Sequence, residues 1–339
     1  MNNYLWPAFN NRYHGYKPQI LKQYMPTNKY IYSFTYDLTE GDLCKLESKY
    51  IFNEEEKDKL LLSTIKVEPS SSAFIKSRLD VMEASEDYAE LIVKIKNENI
   101  HIEGFKVEYV VLHGDTTEYP VRLTKLKDIG FSIEGTPDYY KPTVTYGLCY
   151  LAGVWYFGIL NKDEFDWLKH KEKPCSYSNS ININIAKALI NIAAERDKER
   201  TLLDACCGVG TIMLEACFAG VDIEGCDINA KICRHVRKNL AHFNYSAEVY
   251  NSDIKDISKN YDAAIIDLPY NHFSYAHDDS IAHIIESTAH ISKRLVIVSI
   301  VDIEEQISHA GLTLLDSCSI KKSGKAKFTR KIWVCEKHV

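Results

Sequence analysis

Long apolar runs are missing from this chain of 339 residues. None reaches the roughly eighteen residues of a membrane-crossing helix. The opening Met1-Asn2-Asn3-Tyr4-Leu5-Trp6-Pro7 has no basic stretch followed by an apolar one, so neither a span nor an export signal is expected, and the cytoplasm is the expected location. Regular cysteine spacing is missing as well. The 10 cysteines include no Cys-x-x-Cys pair, and no His-x-x-x-His accompanies them, which argues against a metal site. Adjacent Cys206 and Cys207 read as reduced thiols packed as small apolar groups rather than as part of a disulfide framework. An excess of positive charge is also absent. A net charge of -6 opposes non-specific nucleic-acid binding by the whole surface, because such binding relies on Lys and Arg displacing phosphate counterions.

What the chain does have is a 45% apolar composition and a length above the usual single-domain range, so two domains are expected. Residues 1–60 are tyrosine-rich and interrupted by Pro7, Pro18 and Pro26; Tyr30–Phe34 alternates like a strand and Glu40–Lys59 reads as a charged helix. Between residues 61 and 165 the pattern is mixed, with Leu91–Ile95 and Phe105–Val111 reading as strands. Residues 166–180 form a polar, charged linker ending beyond Lys173-Pro174.

From 181 onward the rhythm changes. Ile181, Ile185, Ala188, Leu189 and Ile192 share a helical face. Strands are then expected at Thr201–Asp204, Asp222–Asp227, Ala247–Asn251, Tyr261–Asp267 and Arg294–Ile300. They alternate with helices at Thr211–Phe218, Ala230–Phe243 and about Ser280–His290. Such alternation predicts a parallel, doubly wound α/β sheet. Two last strands, near Leu312–Ile320 and Phe328–Cys335, flank Gly324 and read as a closing antiparallel hairpin. From Asp316 on there are seven Lys or Arg against two acids, giving a local basic patch at Lys321, Lys322, Lys325, Lys327 and Arg330 that suits RNA or is a solvated hairpin tip.

In a doubly wound sheet, ligands sit at the carboxyl ends of the strands beside the switch point. Asp204, Asp227, Asp253 and Asp267 all fall at or just past expected strand ends. Gly208 and Gly210 let the backbone approach a ligand and open a helix, but Met213 occupies the position of the third glycine of a dinucleotide fingerprint. Asp227 suits two ribose hydroxyls or a helix cap; Asp253 suits an adenine amine or a turn. Together they describe a pocket for an adenosine-containing ligand.

Asp267 ends the apolar run Ala263–Ile266 and precedes Leu268-Pro269-Tyr270. Pro269 stops regular continuation of the chain. A plain strand-end turn accounts for Asp and Pro, but not for the aromatic. With Tyr270 included, the stretch can grip an exocyclic amine between a carboxylate and a backbone carbonyl while a ring stacks on the base.

These residues carry a resemblance. Residues 174–339 are similar to class I S-adenosylmethionine-dependent methyltransferases of the amino-methylating group, whose hallmark is (Asp/Asn)-Pro-Pro-(Tyr/Phe). More narrowly, Lys173-Pro174, Ile185–Ala193 and Asp204–Ala216 resemble the THUMP-associated tRNA guanosine N2-methyltransferases of the D-arm region. Asp128–Asp138 and Pro142-Thr143-Val144 resemble the end of a THUMP domain. The resemblance runs from about residue 60 to the end; residues 1–60 ahead of it form an N-terminal segment whose role stays open, a ferredoxin-like unit being one form of it. The resemblance further implies an α+β THUMP-like RNA-binding half over 61–165, a linker over 166–180, and a class I catalytic domain over 181–339.

It also implies roles. Asp204, Cys206, Gly208 and Gly210 would form the methionine-side loop of an S-adenosylmethionine site, Asp227 with Ile228 would hold the ribose, and Asp253 with Ile254 would frame the adenine. Asp267, Pro269 and Tyr270 would hold the target guanine, and no metal is implied. Two departures stand out. Leu268 replaces the first proline, which is expected to loosen the turn and resembles the Asn-Leu-Pro-Tyr of rRNA adenine dimethyltransferases; Ala205-Cys206 replaces the usual Pro-Phe. The implied activity is methylation of a guanosine N2 amine in tRNA. An rRNA guanine-N2 or adenine-N6 methyltransferase, a DNA or protein-glutamine methyltransferase, a non-catalytic RNA-binding protein, and an accessory protein partner stay open.

Overall fold

A computed structural model of the protein describes residues 29–177, 180–269, 278–321 and 329–337. The chain divides into two units, one built mainly from Asp80–Val110 and Thr117–Ile159, the other from Tyr30–Leu79, Val111–Thr116 and the chain from Leu160 onward. Among the described residues no helix is long and apolar enough to cross a membrane.

The larger unit begins with β1 (Tyr30–Phe34), as its alternation predicts. The helix α1 (Gly41–Phe52) ends well before Lys59, because Asn53 adopts the left-handed conformation at φ 58° and stops it. β2 (Leu60–Ser63) then pairs antiparallel with β1. β3 (Ile75–Ser85) starts in this unit and runs into the smaller one.

In the smaller unit, the expected strand at Leu91–Ile95 is instead part of α2 (Tyr88–Asn97). Asp87 caps that helix by accepting the Ala89 and Glu90 N–H groups, and Leu91 and Ile95, four residues apart, share its fully buried face. β4 (Phe105–Tyr109) falls where a strand was expected, two residues shorter. α3 (Tyr119–Gly130), β5 (Val144–Leu151) and β6 (Val154–Lys162) follow. The strand order within this unit is β3-β6-β5-β4, with β4 and β5 parallel, and its core centres on Leu91, Ile95, Ile129, Leu148 and Phe157.

The stretch read as a polar linker is anchored into the larger unit. A short 3-10 turn at Asp166–Glu172 buries Trp167 and His170. His170 Nδ1 lies 2.6 Å from Glu215 Oε1, both fully buried, and its Nε2 3.1 Å from the hydroxyl of the partly buried Tyr245.

The rest of the larger unit follows the expected alternation: α4 (Ile183–Ala194), β7 (Thr201–Asp204), α5 (Thr211–Ala219), β8 (Asp222–Cys226), α6 (Ala230–His242), β9 (Val249–Tyr250), β10 (Tyr261–Asp267), α7 (Asp278–Ile291), β11 (Ser292–Ser299), α8 (Glu304–His309), β12 (Leu312–Lys321) and β13 (Thr329–Lys337). The seven strands order as β12-β13-β11-β10-β7-β8-β9. All neighbours from β11 to β9 are parallel, and β13 is antiparallel to both β11 and β12. This is the doubly wound parallel sheet with the closing antiparallel hairpin that the alternation predicts.

Parallel strands covered on both faces are apolar throughout. On β10, Ala263 and Ile265 face the core under α4, α5 and α6, whereas Ala264 and Ile266 face the one under α7 and α8. β11 splits the same way, Val296 and Val298 against Leu295 and Ile297. Residues 30–79 share the first of these cores through Tyr32, Leu43, Phe52 and Phe74.

Candidate active site

The strand order reverses between β7 and β10, so the crevice at their carboxyl ends is the switch point where ligands bind such sheets. Asp204 ends β7 and Asp267 ends β10. The pairing register sets Asp204 opposite Ile265, two residues before Asp267. Both acids therefore flank one crevice.

After Asp204 the chain turns through Gly208 at φ 50° and Gly210 at φ 80°, left-handed values that favour glycine. The Gly210 N–H closes the turn on the Cys207 carbonyl at 2.7 Å. A Cβ at Gly210 would stand 2.8 Å from Val236 Cγ1, so α6 packs against the turn itself. The missing third glycine has a counterpart on the partner strand. A Cβ at Gly225 would collide with Met213 Sδ, so close approach of α5 to β8 is permitted by the strand instead of the helix.

Asp204 is fully buried, and among the described residues neither carboxylate oxygen makes a hydrogen bond of good geometry, the Cys206 amide being the backbone group that still favours its charge. Burial raises its pKa well above the ordinary value, and the nearby charges of Asp267 and Asp227 raise it further. The Thr211 hydroxyl, at the first position of α5, is buried and also without a hydrogen-bond partner among the described residues. An unpaired buried polar group costs about 1–3 kcal/mol and calls for an explanation. Two such residues beside a left-handed glycine turn fit a polar ligand that brings its own donors and acceptors.

Asp227 lies just past β8, half-buried. Its Oδ1 accepts the Asn229 N–H at 2.8 Å, and Asn229, not Asp227, caps α6. Burial raises the pKa of Asp227, against the lowering effect of the Asn229 and Gly208 amides. That pairing brings the acid to the rim of the glycine turn. Ile228 beside it is 75% exposed. Asn251 steadies this rim by donating to the Asp227 and Ile228 carbonyls.

Asp253 performs the turn role considered for it: its Oδ1 accepts the Lys255 N–H at 3.1 Å and lies 3.2 Å from His283 Nε2. Burial pulls its pKa upward, but the Lys255 amide and His283 outweigh that and hold it low. Ile254 buries its side chain in the core under α7 and α8, leaving its backbone as the part that can face a ligand. Cys206 is only partly covered at the surface, yet burial and Asp204 push its thiol far up, so it stays protonated.

At Leu268, where a looser turn was expected, the backbone is held to the sheet. The Leu268 N–H donates to the Val298 carbonyl at 3.1 Å and its side chain is 2% exposed, so the strand pairing extends one residue past Asp267. A proline there could not make that bond. Pro269 is exposed next to it. Tyr270, and Lys322, Lys325 and Lys327 of the basic patch, lie outside the described residues. Lys321 is exposed at the end of β12. Arg330 departs from the expectation of a surface cation, being 6% exposed on β13 opposite Ile320.

Thr211, Asn239 and His283 join the site without having been singled out in the sequence. Thr211 directly follows Gly210 and was legible there; His283 and Asn239 act on partners 30 and 64 residues away.

Residues 171–278 match the family model described as UPF0020, RMKL-like, methyltransferase domain. Over 115 residues the chain is 30% identical to the tRNA (guanine(10)-N2)-dimethyltransferase of Methanothermobacter thermautotrophicus, which takes in 33% of this chain and 34% of that protein's length. Among solved structures, TrmN from Thermus thermophilus is similar with a TM-score of 0.46 and 13% identity, over 91% of this chain and 100% of that one. A predicted N6-adenine-specific DNA methylase from Listeria monocytogenes gives 0.45 and 11%, over 90% and 95%. The matched residues 171–278 span the glycine turn and reach past Asp267, and the chain spans about a third of the length of the curated relative it matches.

Proposed function

We propose that this chain is a cytoplasmic enzyme that transfers a methyl group from S-adenosylmethionine to the exocyclic N2 amine of a guanosine in tRNA. The observation that carries the reading is the pairing of acids across the switch point: Asp204, fully buried and without a side-chain partner among the described residues, on one side, and Asp267 at the end of the adjacent strand on the other. The name of the archaeal relative supports guanine N2 as the target and tRNA as the substrate.

When bound, S-adenosylmethionine supplies a sulfonium methyl open to in-line displacement. Asp204, Cys206, Gly208, Gly210 and Thr211 would hold the methionine side, Asp227 and Ile228 the ribose, and Asp253 with the Ile254 backbone the adenine. Asp267 and the Pro269 carbonyl accept the two hydrogens of the target amine, which draws the nitrogen lone pair out of conjugation with the base and aims it at the methyl carbon. Transfer would exchange the methyl's C–S bond for a bond to the amine nitrogen, and the Asp267 carboxylate would take up the amine proton. Asp267 need not be a strong base, because the amine becomes acidic only as the methyl arrives. Tyr270 completes the motif with an aromatic side chain of the kind that can stack on a base. Residues 61–165 are read as the RNA-binding half, and Lys321 with its basic neighbours as a second RNA contact.

A second reading, methylation of rRNA at guanine N2 or adenine N6, is favoured by Leu268 in place of the first proline. Tritiated methyl transfer to unmodified bulk tRNA and to rRNA, followed by nucleoside analysis, separates the two. N2-methylguanosine in tRNA supports the proposal; label in rRNA alone, or N6-methyladenosine, overturns its substrate.

A further inference from the structure

Asn239, on α6, is fully buried and spends its whole side-chain amide on backbone groups outside its own helix. Its Oδ1 accepts the Cys175 N–H at 2.8 Å, and its Nδ2 donates to the Cys175 carbonyl at 2.9 Å and to the Val209 carbonyl at 2.8 Å. Val209 stands between Gly208 and Gly210, at the apex of the ligand-cradling turn. Cys175 belongs to a stretch with neither helix nor strand, directly after Pro174. One amide thus closes on both polar groups of one residue and on a carbonyl 34 positions later in the chain.

Only a side-chain amide supplies an acceptor and two donors in one plane. A carboxylate would keep the first bond and set negative charge against two carbonyls; an apolar residue would leave three backbone groups unpaired. The rest of α6 supports the same contact. Val236, three residues earlier and so on the same helical face, fills the space where a Cβ of Gly210 would be. His235, four residues before Asn239, places Nδ1 3.0 Å from the Tyr177 hydroxyl. The helix therefore holds the glycine turn through Val236 and Asn239, and the 175–177 segment through Asn239 and His235.

We propose that Asn239 is a positioning residue that joins the Cys175–Tyr177 segment to the Val209 turn, making that segment a wall of the cofactor pocket. This rests on the reading that the glycine turn holds S-adenosylmethionine. A purely structural asparagine would alter stability alone; a positioning one also alters cofactor affinity.

The test is Asn239→Asp, measured by calorimetric binding of S-adenosylmethionine, steady-state kinetics and amide hydrogen exchange. The expected result is a Kd and a KM for S-adenosylmethionine raised about tenfold or more, with kcat at saturating cofactor and KM for tRNA little changed. Exchange should quicken at 175–177 and at 208–210 together. Faster exchange at both segments with cofactor affinity unchanged overturns the proposal. Should the variant fail to fold, the wild-type protein still decides: the Cys175 amide should exchange slowly, and S-adenosylmethionine should slow it further in step with residues 208–210. Fast, cofactor-independent exchange at Cys175 overturns the tether. If the wild-type protein binds no S-adenosylmethionine, the functional reading fails separately, and slow exchange at Cys175 alone would then support the tether without the pocket wall.

Discussion

Leu268 donates its backbone N–H to the Val298 carbonyl at 3.1 Å, which carries the β10–β11 pairing one residue beyond Asp267. Where the amino-methylating hallmark has a proline, this chain has a core anchor. The leucine side chain is buried among Ile266, Ile297 and their neighbours, so the acid before it stands on fixed backbone.

Leu268→Pro should therefore destabilise the protein, although it restores the commoner motif. The lost hydrogen bond and the lost leucine burial together predict a decrease of about 2 kcal/mol or more in unfolding free energy, read by urea denaturation. A change below about 0.5 kcal/mol, the usual range for substitutions without such a role, would show that the bond and the burial contribute little.

Gly210 makes a sharper prediction, because two separate obstacles oppose a side chain there. Gly210→Ala places a Cβ at φ 80° and within 2.8 Å of Val236 Cγ1. Both stability and S-adenosylmethionine affinity should fall, stability by about 1–3 kcal/mol. Adding Val236→Ala removes the clash but not the left-handed conformation, so in a double-mutant cycle measured by thermal and calorimetric titration only part of the loss should return. Full additivity of the two losses would mean that the turn and α6 are not in contact.

Asp204 links pH to both folding and binding. Burial, with Asp267 and Asp227 nearby, raises its pKa in the folded state without cofactor, so that state binds the proton more tightly than the unfolded chain does. Its contribution to stability is fully present below the unfolded carboxylate value and is lost as pH rises through the folded value. Asp204→Asn should accordingly make the cofactor-free protein more stable than wild type at pH 8, with the difference shrinking toward pH 4. The same substitution should weaken S-adenosylmethionine binding and flatten its pH dependence, since the cationic methionine side of the cofactor favours the ionised carboxylate. Melting curves across pH with calorimetric titrations check both halves, and an asparagine variant that binds the cofactor as wild type does would remove Asp204 from the site.

The sheet was legible because its strands are short apolar runs that end in acids, and because Gly208-Val209-Gly210 and Pro269 mark the loops between them. Thr201–Asp204 and Tyr261–Asp267 form at the expected residues for this reason. Leu91–Ile95 was not legible. Its β-branched run looks like a strand until Asp87 is recognised as a helix cap and Leu91 and Ile95 as one buried face. The polar segment around Trp167 and His170 gave no sign of being buried, since its partners Glu215 and Tyr245 lie on distant elements. That Asp204 and Asp267 end strands and Asp227 and Asp253 follow them could be read from the sequence, but not their partners. Asp253 spends an oxygen on its own turn and on His283, and Arg330 lies inside the hairpin rather than on it.

The account turns on a division of labour between Asp204 and Asp267, and Asp267→Ala tests it most directly. The purified variant should bind S-adenosylmethionine with a Kd within about threefold of wild type and melt as a folded protein, while methyl transfer to unmodified tRNA falls by about 100-fold or more. Transfer retained within about tenfold of wild type, or loss of cofactor binding in a folded variant, would contradict the assignment of Asp267 to the target amine.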